Sequence, residues 1–151
     1  MTLKERISED IKQAMKNRDQ GALRALRAIK SAILLAETAA GASGDLSAEE
    51  ELKLLTRQAK QRKDSIEQFK ANGREDLAVS EEEELVVIEQ YLPKQMSEAE
   101  IRAEVQAIIT SVGATGAGDI GKVMGPASKA MAGKADGKLI NQIARELLGG
   151  A

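Results

Sequence analysis

Histidine, cysteine and tryptophan are all absent from this chain. Without cysteine there is no disulfide, no thiolate nucleophile and no zinc site built on sulfur. Without histidine the commonest general base and metal ligand is missing, and neither a Ser-His-Asp nor a Cys-His arrangement can be assembled. Aromatic residues make up 1% of 151 residues, Phe69 and Tyr91 alone. That weighs against base stacking on exposed rings and gives strands little of what they favour. The formal charge of −2 and a pI near 5.4 exclude a strongly basic nucleic-acid protein but leave room for a local basic patch. No apolar run approaches the roughly 20 residues of a membrane span. The opening MTLKERISEDIKQ carries acids and no apolar stretch of the kind a signal peptide needs. A cytoplasmic protein that does not enter a membrane is the expectation.

What the chain does have is Leu, Ile, Val, Met and Ala at helical spacing, within an apolar fraction of 42%. Leu3, Ile7, Ile11 and Ala14/Met15 mark a first helix, with Thr2 and Glu5 forming a capping box. After the turn at Asn17–Gly21, a second helix carries Leu23, Leu26, Ile29, Ile33 and Leu34 and stops at GASGD. Ser47 and Glu50 open a third helix with Leu52, Leu55, Ala59, Ile66 and Phe69 along one side, closed by Gly73. Ser80 and Glu83 predict the start of a fourth, whose EEEE run would then favour the positive end of the helix dipole. Pro93 ends it, and YLPKQMS reads as a linker. Ser97 and Glu100 begin the next helix (Ile101, Val105, Ile108, Ile109, Val112), which ends at Gly113. Asp119 is expected to cap a helix that Gly125-Pro126 should kink or split, and Asp136 to cap the last one. The predicted architecture is all-α: an N-terminal helical bundle over 1–93 and a small three-helix C-terminal lobe over 94–151.

The residue inventory offers an enzyme little. GATGAGDIGK resembles a phosphate loop only superficially, since Gly121-Lys122 is followed by Val123 and no strand precedes it. Neighbouring carboxylates in EEEE point around a helix rather than at one centre, so no metal and no cofactor are expected. The C-terminal stretch is more informative. From Asp119 onward Lys122, Lys129, Lys134, Lys138 and Arg145 outnumber Asp119, Asp136 and Glu146. Helix starts offer unpaired N–H groups to anions, and lysines beside them add to the pull. Asp136 works the other way, because an ionised cap occupies those groups. An ordinary capped turn and an anion-docking rim are therefore both open readings of GKADGK. Asn141, at the edge of the last helix's apolar face, either bonds a turn carbonyl or presents donors to a ligand. In the third helix, Arg57, Lys60, Arg62 and Lys63 form either a functional basic stripe or, for Arg62, a stem lying over the core with its head in water.

These stretches, KERISEDIKQAMKNRD, LRALRAIKSAI, KQRKDSIEQFKANGREDL, EQYLPKQMSEAEI, DIGKVMG and GKADGKLINQIARELL, together resemble the GatB/YqeY family over Leu3 to Leu148. The C-terminal lobe is similar to the tail domain of the GatB subunit of glutamine-dependent tRNA amidotransferases. The resemblance implies an all-helical protein of two lobes and the family label of carbon–nitrogen ligase activity with glutamine as amido-nitrogen donor. It also implies contact with tRNA, since that tail helps hold the tRNA body while catalysis occurs in other domains. No glutaminase nucleophile or nucleotide site is recognisable here, so the expected function is a non-catalytic tRNA-docking accessory. The alternative is a helical adaptor for an amidotransferase or another protein partner. The residues expected on RNA are Lys122, Lys134, Gly137, Lys138 and Asn141, joined by Arg57, Arg62 and Lys63.

Overall fold

The computed structural model describes residues 1–39 and 44–149; most of the predicted GASGD loop lies outside them. Among the described residues there are seven α-helices, a short 3-10 turn and no strand, which makes the chain all-α. The helices are α1 (Leu3–Lys16), α2 (Gln20–Thr38), α3 (Ala48–Ala71), α4 (Glu75–Glu89), α5 (Glu98–Val112), α6 (Ile120–Ala130) and α7 (Gly137–Leu147). The chain divides into two compact units, Met1–Leu92 and Pro93–Ala151. No helix among the described residues is long and apolar enough to cross a membrane.

In the first unit, α2 packs on α1, α3 and α4, and α3 on α4, around a core of Ile7, Leu26, Ile29, Ile33, Leu55, Ala59 and Ile88. Thr2–Glu5 and Ser47–Glu50 form the predicted capping boxes, each contributing about 1 kcal/mol by pairing N–H groups that would otherwise lack a partner. The Ser47 backbone N–H holds the Glu50 carboxyl below its ordinary range. At the far end of α3, Gly73 takes φ +72 while the Gly73 and Arg74 amides reach back to the carbonyls of Lys70 and Phe69. This left-handed closure reverses the chain in three residues. As a result α4 begins at Glu75, five residues before the predicted Ser80 start. Ser80 and Glu83 form no box, because a box requires an extended entry and Leu77 and Ala78 already bond the Arg74 carbonyl. The EEEE run accordingly lies mid-helix, away from the dipole end. Leu34, expected in an apolar row, is 42% exposed.

Tyr91 closes this unit. Its hydroxyl donates to the Asp10 carboxylate, and the Arg6 guanidinium stands 5.1 Å from its ring centroid. Burial, and then the bond to Asp10, push the phenol well above its ordinary value of 10.0. The folded state therefore favours the protonated phenol. This increment of stability is complete below the ordinary value and is lost as pH rises beyond it. Because Tyr91 is the sole tyrosine, tyrosinate absorbance reports one site. The expected titration is delayed and appears together with unfolding. A midpoint at the ordinary value in the folded protein would refute the clasp.

The second unit is a three-helix cluster whose centre is Ile101, Val105, Val123, Ala127, Met131, Ile140, Ile143 and Ala144. Ser97 and Glu100 form the predicted box and Gly113 closes α5 at φ +69. Contrary to expectation, Pro126 does not split α6, which runs unbroken from Ile120 to Ala130 with Pro126 exposed. Proline removes one backbone bond, but Val123, Ala127 and Met131 lie on either side of it at four-residue spacing and are all buried. Their shared contact with the core keeps the helix continuous through the defect.

Candidate functional site

The α3 cations separate when folded. Arg62 sits 23% exposed, with Nη1 3.0 Å from Glu81 and 3.5 Å from Glu84, whose side chains are 18% and 12% exposed. Its head lies among α4 carboxylates, which corrects the reading that placed it in water. The rest of the acidic run is also committed: Glu83 and Glu84 approach Arg24 of α2 at 3.5 and 3.8 Å, and Glu82 meets Lys70 at 2.9 Å. Burial lifts the Glu84 carboxyl above its ordinary value, and Arg62 and Arg24 offset only part of that rise. Arg57 is exposed and Lys63 half-buried. With Lys60 they follow three-residue steps and wind across α3 rather than lining up along it.

In the second unit, Lys122 lies in the first turn of α6, Lys134 in the turn between α6 and α7, and Lys138 in the first turn of α7. All three are exposed. Lys129, in the last turn of α6, stands seven residues after Lys122 and so on the same flank. On α7, Lys138 and Arg145 share the side opposite the buried Ile140, Ile143 and Ala144, with Asn141 at its edge. Asn141 is half-buried and bonds no turn carbonyl among the described residues. Gly137 is exposed, and a Cβ there would meet nothing within 4 Å, so no packing contact requires glycine at that place.

The two acids near these lysines behave differently from each other. Asp136 caps α7, its Oδ1 accepting from the Lys138 amide at 3.3 Å. Asp119 does not cap α6. Its Oδ2 accepts from the Thr115 amide at 2.9 Å and the Thr115 hydroxyl at 3.3 Å, while Oδ1 stands 3.5 Å from Lys122 Nζ. The Thr115 amide first, then Lys122, holds this carboxyl below its ordinary range. A four-residue return across a glycine-rich loop satisfies the carboxylate before α6 begins, which is why capping failed there.

GKADGK is built around Gly133, buried at φ +73. Its carbonyl accepts from Gln95 Nε2 at 2.8 Å, and the next carbonyl, of Lys134, accepts from the Met96 amide at 2.9 Å. The first glycine of the stretch thus serves a tight corner docked on residues 95–96. Gln95 was missed in the sequence, where it reads as one polar residue of a linker. A surface hollow of about 500 Å³ lies elsewhere, in the first unit, lined by Met1, Lys4, Ser8, Glu9 and the Thr2–Glu5 box among others.

Compared with known proteins, residues 4–148 match the family described as Yqey-like protein. The relatives found include Altered inheritance of mitochondria protein 41, mitochondrial, from Lachancea thermotolerans. It is 39% identical over 111 residues, covering 70% of this chain and 57% of that protein. A protein of the same name from Pyrenophora tritici-repentis is 30% identical over 149 residues, covering 95% of this chain and 80% of its own length. The chain thus spans little more than half of the first relative. Both names place those proteins in mitochondria, which lends no support to the cytoplasmic expectation for this one.

Proposed function

The chain belongs to the Yqey-like protein family, and from that membership we propose that it is a non-catalytic docking module for tRNA, with Lys122, Lys134 and Lys138 as its central phosphate contacts. The observation that carries this reading is where the lysines stand. Helices α1, α3, α4 and α5 all have acids in their first turns, as the dipole favours. The first turns of α2, α6 and α7 have none, and those of α6 and α7 hold Lys122 and Lys138. A lysine there works against the helix dipole, whereas attraction of a polyanion favours it. Choosing tRNA among polyanions rests on the similarity of this unit to the amidotransferase tail domain. Lys129, Asn141, Gly137 and Arg145 extend the contact. Arg57 and Lys63 are the first unit's candidates, and Arg62 contributes little because Glu81 and Glu84 hold it.

The reading predicts modest, salt-sensitive and shape-directed binding. Five phosphate contacts, by Lys122, Lys129, Lys134, Lys138 and Arg145, give a slope of about −4 in log K against log salt. A filter-binding titration of the full chain against unfractionated tRNA, at two salt concentrations, measures it. No binding at low salt would end the proposal.

A further inference from the structure

We propose that Gln95 is a positioning residue for the corner that carries Lys134, acting as a clamp between the segment before α5 and the turn between α6 and α7. This rests on the docking reading above and names what holds its central lysine in place.

The corner is incompletely bonded from within. After α6, the amides of Lys134 and Ala135 both return to the Met131 carbonyl. The left-handed Gly133 turns the next two carbonyls, its own and that of Lys134, away from the helix direction. Gly133 is buried, and a carbonyl left there without a donor is costly. Residues 95–96 supply both donors: Gln95 Nε2 reaches Gly133 and Met96 N reaches Lys134. The same Gln95 nitrogen donates to the Pro93 carbonyl at 2.9 Å, so both amide protons are used and the side chain's direction is fixed. An apolar residue of similar size at 95 could satisfy neither carbonyl.

Lys134 is consequently fixed on both sides of its Cα, its amide on Met131 and its carbonyl on Met96. Lys129 and Lys138 flank the same corner along the chain. A cation presented from a fixed backbone loses less freedom on meeting a phosphate than one on a mobile turn. Gln95 touches no ligand in this account. It sets the geometry of the residue that does.

The test uses the full chain, amide hydrogen exchange and unfractionated tRNA. Gln95→Met should accelerate exchange at Met96, Lys134 and Ala135 about fivefold or more, the worth of one lost hydrogen bond. Amides in the middle of α5 and α7 should stay as slow as before, which marks the protein as folded. Affinity for tRNA at low salt should fall about fivefold while the salt slope is unchanged, because the number of phosphate contacts is the same. Gln95→Lys, whose ammonium can donate to both carbonyls, should restore slow exchange. Unchanged exchange in Gln95→Met overturns the clamp. Faster exchange with unchanged affinity shows that the clamp does not position the lysines, and leaves the docking reading intact. If the unsubstituted protein binds no tRNA at all, the docking reading falls and the positioning role falls with it.

Discussion

Replacing Arg62 by alanine is expected to cost about 3 kcal/mol, read as a lower denaturant midpoint with an unchanged slope. The substitution leaves the Glu81 and Glu84 carboxylates, 18% and 12% exposed, without the guanidinium that stands 3.0 and 3.5 Å from them. Removing one partner of a shielded ion pair is far more damaging than removing both, since the remaining charge keeps its desolvation cost and loses its compensation. Glu84→Gln should accordingly cost under about 1 kcal/mol, because burial already disfavours the charged form. The pH dependence follows with a definite sign. A carboxyl raised above its ordinary 4.5 burdens the fold when ionised and is relieved as pH falls through the raised value. Without Arg62 the value rises further, so the deficit of Arg62→Ala should be largest at neutral pH and shrink on mild acidification. An unchanged midpoint at neutral pH would mean that water already reaches these groups.

That ion-pair cluster also marks the limit of what could be read along the chain. Features set by a few consecutive residues were legible: the Thr2–Glu5, Ser47–Glu50 and Ser97–Glu100 boxes, the closing glycines at 73 and 113, and the apolar rows of α1, α5 and α7. Each rests on contacts within about one helical turn. The α4 start was misplaced because Ser80-x-x-Glu83 has the composition of a box, and only the Arg74 backbone, bonding Leu77 and Ala78, reveals that the helix is already under way. Arg62 finds partners 19 and 22 positions away, and spacing of that order carries no periodic signal. Gln95 meets Gly133 across 38 positions. For the candidate site, the lysines of α6 and α7 were legible as a local excess of charge, whereas the clamp on their corner was not. Asp119 shows the same division at short range: its type suits a cap, but Thr115 offers two donors first.

Reversing Lys122, Lys134 and Lys138 together to glutamate should lower tRNA affinity about a thousandfold at low salt and reduce the salt slope by about three. Each exchange removes a cation and adds an anion where a phosphate would sit, and three such losses of about 1.4 kcal/mol each give that factor. The usual objection, that the variant has simply unfolded, has a physical answer here. Positions 122 and 138 lie in first turns, where glutamate favours the helix over lysine. Position 134 is exposed, and its structural bonds are made by the backbone, which the substitution keeps. Lys122→Glu does lose the 3.5 Å pair with Asp119, but an exposed pair of that kind contributes little. Helical content and thermal midpoint should thus stay within a few degrees of the original while binding disappears. The matching reversal of Arg57 and Lys63 on α3 should cost tenfold or less, about one weak contact. Equal losses per reversed residue from the two sets would indicate a response to net charge alone, and the role given to the α6 and α7 helix starts would then be wrong.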